Sequence, residues 1–213
     1  PLAFREQFLR APGEPFQVVL EGSLDSVWHR PRWLGLLFRA LAALGILLPY
    51  EGRGVPTRLV VGTGRLPTSA PYHVWDRYVH FERSGRPVRF RTKILYDADL
   101  DEVVDLVGPR DALYMVWYAR FHPPTDLTLA TAAVALDLGG RRWWLPGWLW
   151  RWTLGTVRFL QRAESVGSDA IRISIRIAHP LFGDIFGYDG AFRARRVTEA
   201  PVEAEGVALG VAA

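Results

Sequence analysis

Ile171-Arg172-Ile173-Ser174-Ile175-Arg176-Ile177 alternates without a fault between apolar and polar residues. Successive side chains of a β-strand point to opposite faces, so this segment puts four isoleucines on a buried side and Arg172, Ser174 and Arg176 on a wet one. It is one wall of a core. Val88-Arg89-Phe90-Arg91-Thr92-Lys93-Ile94 repeats the pattern with its cations outward, and Phe192-Arg193-Ala194-Arg195 does so more weakly.

Working outward, the same grammar of short β-branched and aromatic runs bounded by Gly, Pro and Asp predicts strands over Gln17–Leu20, Arg58–Gly64, Tyr72–Phe81, Asp101–Val107, Leu113–Phe121, Leu127–Leu136 and Thr156–Glu164. The Ala-rich Leu127–Leu136 also admits a helix, and the strand reading is preferred. Leu113–Phe121 is apolar on both faces, with Met115 and Trp117 on one and Tyr114 and Val116 on the other, which marks a central strand or a cavity wall. Connections too short for crossover helices imply antiparallel pairing.

Only Trp33 to Leu48 reads as a substantial helix. At 100° per residue, Trp33, Leu34, Leu36, Leu37, Leu41, Leu44 and Leu48 share one broad face, with Pro31 at the start and Pro49 at the end. The run is shorter than a bilayer needs and carries Arg39 near its middle, so an internal helix is expected. The expected fold is therefore α+β: a curved, mostly antiparallel sheet, open and barrel-like, packed against one long N-terminal helix. Residues 1–197 form a single domain, and 198–213, without aromatics, read as a flexible C-terminal tail.

Composition removes several function classes. The 213-residue chain has no cysteine, so disulfides, thiolate metal sites and cysteine nucleophiles are excluded. His29, His73, His80, His122 and His179 form no HxH or HExxH pair, and no metal or cofactor is expected. A net charge of +4, carried almost wholly by arginine, lacks the basic cluster that nucleic acid requires. There is no GxSxG elbow, P-loop or SxxK motif. The opening Pro1-Leu2-Ala3-Phe4-Arg5-Glu6 lacks the pattern of a secretory leader, so the expected compartment is the cytoplasm.

Three segments combine chemistry with unusual composition. In His73-Val74-Trp75-Asp76-Arg77-Tyr78, alternation puts His73, Trp75 and Arg77 on one side and Asp76 and Tyr78 on the other; a cross-strand Asp–Arg pair is the plain alternative to a ligand site. His179-Pro180-Leu181-Phe182-Gly183 through Tyr188-Asp189-Gly190 reads as a glycine-punctuated loop feeding the last strand. The run Trp143 to Trp152 holds five of the nine tryptophans, a density typical of pocket walls and interfaces. Candidate ligand-binding residues are His73, Trp75, Asp76, Arg77, Trp117, Trp144, Trp148, His179 and Tyr188. The acidic cluster Asp97, Asp99, Asp101, Glu102 and Asp105 is expected to be a solvated turn.

The chain resembles a bacterial family, the domain of unknown function numbered 4166. The resemblance rests on His73-Val74-Trp75-Asp76-Arg77, on Phe90 to Val104 with Tyr96-Asp97, on Leu145-Pro146-Gly147-Trp148-Leu149, and on His179-Pro180-Leu181-Phe182-Gly183 through Tyr188-Asp189-Gly190. It runs from about Leu20 to Arg195. It implies a stand-alone bacterial domain, or one that works with a separate nicotinamide-dependent dehydrogenase, and it carries over no catalytic residue.

Three functions are expected in turn. First comes an accessory domain binding a small apolar ligand, with the tryptophan run as its rim. Second is an enzyme acting on a small apolar or acidic molecule through His73, Asp76, Arg77, His179 and Tyr188. Third is a membrane-peripheral protein using Trp33 to Leu48 or the tryptophan run, with Arg141, Arg142 and Arg151 facing anionic headgroups.

Overall fold

The computed structural model describes residues 17–65, 71–97, 100, 102–108, 111–122, 126–138, 141–164 and 168–196. Most of them are in eleven strands: β1 (Gln17–His29), β2 (Gly52–Arg65), β3 (Pro71–Val79), β4 (Val88–Asp97), β5 (Glu102–Val107), β6 (Leu113–His122), β7 (Asp126–Leu138), β8 (Arg141–Trp144), β9 (Thr156–Ala163), β10 (Ala170–His179) and β11 (Gly183–Arg196). Every strand pairing is antiparallel.

Ten strands close a barrel. β1 to β7 pair in chain order, β7 continues through β9, β10 and β11, and β11 returns to β1. The expected open sheet is thus corrected to a closed one. β1 and β7 are each paired on both edges, and closure removes the free edges that an open sheet would expose. β8 extends the wall beyond β9, pairing with Ala135 to Leu138 at the far end of β7. Irregular register at Leu24/Ser26, Val116/Trp117 and Ile177/Ala178 supplies the local bends that curvature needs.

The alternating isoleucines of β10 face inward. Ile171, Ile173 and Ile177 are buried, while Arg172 and Arg176 project outward onto Asp25, Asp184 and Asp189. Leu20, Leu24, Leu59, Val61, Trp75, Phe159 and Phe192 complete the interior. Leu127–Leu136 is strand, as preferred. β6 is buried on both faces because Tyr114 and Val116 join a second, outer cluster with Val104, Leu106 and Ala135.

The segment 179–190 is corrected from loop to strand beyond Gly183. Gly183, at φ +66, makes the turn, and Gly187 and Gly190 serve close approach. A Cβ at Gly190 would lie 2.7 Å from the Ser23 carbonyl oxygen, and one at Gly187 2.6 Å from the Trp28 ring. Across the same seam, a Cβ on Gly22 would lie 2.0 Å from the Ala191 carbonyl oxygen, which is backbone and has no rotamer with which to yield. Gly22→Ala should therefore push β1 off β11 and cost about 1–3 kcal/mol in chemical denaturation; an unchanged midpoint would contradict this seam.

The single long helix is also corrected. The chain makes a 3₁₀ turn (Arg32–Leu34) and then a nine-residue helix, α1 (Gly35–Ala43). Gly45, at φ +65, ends it: the Ile46 N–H reaches the Leu41 carbonyl and the Gly45 N–H that of Ala42, a Schellman stop. Nor is the leucine face buried. Only Phe38 of α1 is buried, stacked on His29, whereas Trp33, Leu36, Leu37 and Leu44 are exposed. The residues after the stop, Leu47 and Leu48, turn down into the barrel and join its core.

A second short helix, α2 (Gly147–Thr153), follows Pro146 and packs against β7 and β10, burying Trp150. No helix among the described residues is long and apolar enough to cross a membrane. The expected tail, 198–213, lies outside the described residues, as do Asp99 and Asp101.

Candidate functional site

Alternation along β3 sends His73, Trp75 and Arg77 inward and Asp76 and Tyr78 outward. Strand register then decides what each meets. Asp76 sits between Arg89 and Arg91 of β4, at 2.6 and 2.9 Å, and accepts a further hydrogen bond from Tyr78. Burial alone would raise its pKa, but the Arg89 hydrogen bond and the two guanidinium charges outweigh that and lower it. Asp76 is therefore a clamp on the outer wall, separated by the sheet from Arg77.

Arg77 faces the interior and is buried. Its guanidinium lies over the rings of Trp75 and Phe90, 5.3 and 5.0 Å from their centroids, and its hydrogen bond to Thr92 Oγ1 is long, 3.4 Å. It makes no ion pair with any described residue. From β5, Asp105 points into the same space, where its Oδ1 has no hydrogen-bond partner. Burial raises this carboxyl to about 7 against the opposing influence of the Arg77 charge and the Thr92 hydroxyl. From β11, the buried Tyr188 phenol is pushed upward by burial, Arg77 pulling the other way and Asp105 adding to the rise. Its hydroxyl lies near Arg77 without a hydrogen bond of good geometry. Trp117 of β6 brings an indole N–H, likewise unpartnered.

These four groups surround one cavity of about 70 Å³. Apart from the Thr92 hydroxyl, its remaining wall is apolar: Ile46, Leu47 and Leu48 from the β1–β2 connector, with Val107, Met115, Ile175, Ile177 and Phe186 from the barrel. A void this large is several times what one water needs. Buried polar atoms normally have partners, yet Asp105 Oδ1, the Trp117 indole N–H and the Tyr188 hydroxyl, all unpartnered, line the same space as the Arg77 guanidinium.

The other candidates fall elsewhere. Trp75 packs edge-on against Phe159 at 5.8 Å and forms part of the floor under Arg77. His73, half-buried farther along the same inner face, has its pKa lowered by burial. His179 closes the β10–β11 turn, its ring Nε2 2.8 Å from the Trp152 carbonyl oxygen. Trp144 lies on the outer wall, edge-on to Tyr114, and Trp148 is exposed on α2. No tryptophan of the 143–152 run lines the cavity, so the expected rim is corrected: Trp150 is an anchor at 1 % exposure, and Trp143, Trp144, Trp148 and Trp152 face outward.

Asp105 is the site residue that sequence reading missed. It was grouped with an acidic turn, yet Val103-Val104-Asp105-Leu106-Val107 is an apolar strand interrupted by one carboxylate, and that interruption is the signal. The turn reading holds better for Asp97, which pairs with Arg142 at 3.1 Å and accepts from Tyr114.

The sequence profile of the domain of unknown function 4166 matches residues 1–192. The chain belongs to that family. In this member of the 4166 family, the segments on which the resemblance rests fall mainly on barrel strands and the α2 entry, with the β4–β5 connection and the β10–β11 turn outside them. No curated protein and no solved structure shows a significant match.

Proposed function

We propose that the barrel is a non-catalytic binding domain for a small apolar molecule with an anionic or hydrogen-bonding head. The observation that carries this reading is the convergence of Arg77, Asp105, Trp117 and Tyr188 on one largely apolar cavity. Arg77 would accept a carboxylate in the bidentate geometry that guanidinium favours. The ligand's apolar body would lie among Met115, Ile175, Ile177 and Phe186. A chain of more than a few atoms requires Ile46, Leu47 and Leu48 to withdraw, which makes the β1–β2 connector the lid.

Octanoate is a suitable probe. Calorimetric titration should detect binding to the native protein, with quenching of the buried indoles. Arg77→Leu, similar in apolar bulk, should weaken it about 10–100-fold, the worth of a charge-assisted hydrogen bond. Equal affinity for the variant, or no binding of octanoate or its methyl ester by the native protein, would refute the reading.

A second reading rests on Asp105. A carboxyl raised to about 7 by burial, in one cavity with a phenol, has the character of a general acid or base. On this reading the domain is an enzyme acting on a small apolar or acidic molecule, partnered by a separate nicotinamide-dependent dehydrogenase. Chemical conversion of a bound molecule by the native protein and not by Asp105→Asn would favour it.

A further inference from the structure

The barrel end covered by α1 carries a continuous exposed apolar surface. Trp33 and Leu36 are 66 % and 76 % exposed, and the helical period puts Leu37 and Leu44 beside them. Ring contacts extend the surface onto the next element: Trp33 meets Phe182 edge-on at 5.1 Å, Phe182 stacks on His179 at 4.6 Å, and His179 meets Trp152 at 6.2 Å. Trp148, one turn from Trp152 on α2, is 67 % exposed. Contiguous patches of this kind on a folded chain mark contact surfaces.

Across α1 from Leu37 and Leu44 lies a groove of about 570 Å³ lined by Arg32, Arg39 and Arg83. None of the three makes an ion pair with a described residue; Arg39 donates only to the Gly35 carbonyl within its own helix. Glu51, the one carboxylate lining the groove, is engaged by the His29 backbone N–H. Arg151 adds a further cation between Trp148 and Trp152.

We propose that this end of the barrel docks on an anionic phospholipid surface. Trp33, Leu36, Trp148 and Phe182 would enter the headgroup layer, and the Arg32–Arg39–Arg83 groove would take the lipid phosphates. Indoles and leucines flanked by arginines are the composition of interfacial anchors, and unneutralised guanidiniums select an anionic membrane. The contact is peripheral. The outward positions of the barrel carry Arg58, Arg89, Arg91, Arg158, Arg162 and Arg172, the reverse of a spanning barrel with its apolar outer band.

The test is cosedimentation of the full chain with phosphatidylcholine vesicles, with and without one third phosphatidylglycerol. Binding should require phosphatidylglycerol and weaken with salt. Trp33→Ser with Leu36→Ser should lower partitioning roughly tenfold or more, and Arg32→Gln with Arg39→Gln about thirtyfold. Tyr118→Ser, an exposed aromatic on β6 outside the patch, should leave partitioning unchanged. All five positions are exposed, so the circular dichroism of the variants should match the native protein. Absence of binding to the anionic vesicles, undiminished binding by the Trp33/Leu36 variant, or a solution dimer that the same variant dissociates would each overturn the proposal.

Discussion

Ile171→Asp should abolish cooperative folding, while Arg172→Gln, one residue along the same strand, should leave the thermal midpoint nearly unchanged. Ile171 is fully buried, its neighbours across the sheet being Phe192 and Ala163. An aspartate there forfeits about 1.5–3 kcal/mol of side-chain burial and adds the cost of desolvating a carboxylate that has no partner, several kcal/mol more. The sum is comparable to the whole stability of a domain, about 5–15 kcal/mol. Arg172 makes an exposed ion pair with Asp25 at 2.8 Å, worth about 0–1 kcal/mol. Thermal denaturation followed by far-ultraviolet circular dichroism separates the two; a cooperative transition in Ile171→Asp would mean that β10 does not face the core.

Asp105 should make the protein less stable as pH rises. The carboxyl ionises near 3.8 in the unfolded chain and at about 7 in the folded one. Between those values the folded state holds a proton that the unfolded state has released, so folding stability falls with increasing pH and levels off above 7. The rise of the carboxyl to about 7 corresponds to about 4 kcal/mol at pH 8. Asp105→Asn removes the ionisation. Its stability should equal that of the native protein near pH 4 and exceed it increasingly toward pH 8, by roughly 10 °C in midpoint. His73 and His29, both lowered by burial, favour the folded state at higher pH, and Asp76 loses its clamp in acid. Subtracting the variant's curve from the native one cancels these contributions. A flat difference between pH 4 and 8 would show that Asp105 does not ionise inside the barrel.

The proposed lid and the proposed docking surface share one segment. The connector between β1 and β2 places Phe38, Leu47 and Leu48 inside the molecule and Trp33, Leu36, Leu37 and Leu44 outside it. A leucine-rich helix therefore need not bury its leucines. The pattern establishes that an apolar face exists, and the Schellman stop at Gly45 fixes which residues continue into the core.

Periodicity of two is a local property, and it was sufficient to determine most strands, their antiparallel pairing and which side of β4 and β10 is apolar, because a one-residue slip would reverse every side chain. Membership of the 4166 family was likewise legible in the order of short segments. Closure of the barrel was not, since pairing of β6 and β9 on the two edges of β7, and of β11 with β1, joins residues far apart in sequence. The site has the same origin. Arg77, Asp105 and Tyr188 lie on β3, β5 and β11, and alternation told only that Arg77 shares a face with Trp75. That the three meet across one cavity, while Asp76 beside Arg77 is held on the opposite face by Arg89 and Arg91, follows from the register and curvature of a closed sheet, which only the tertiary structure sets.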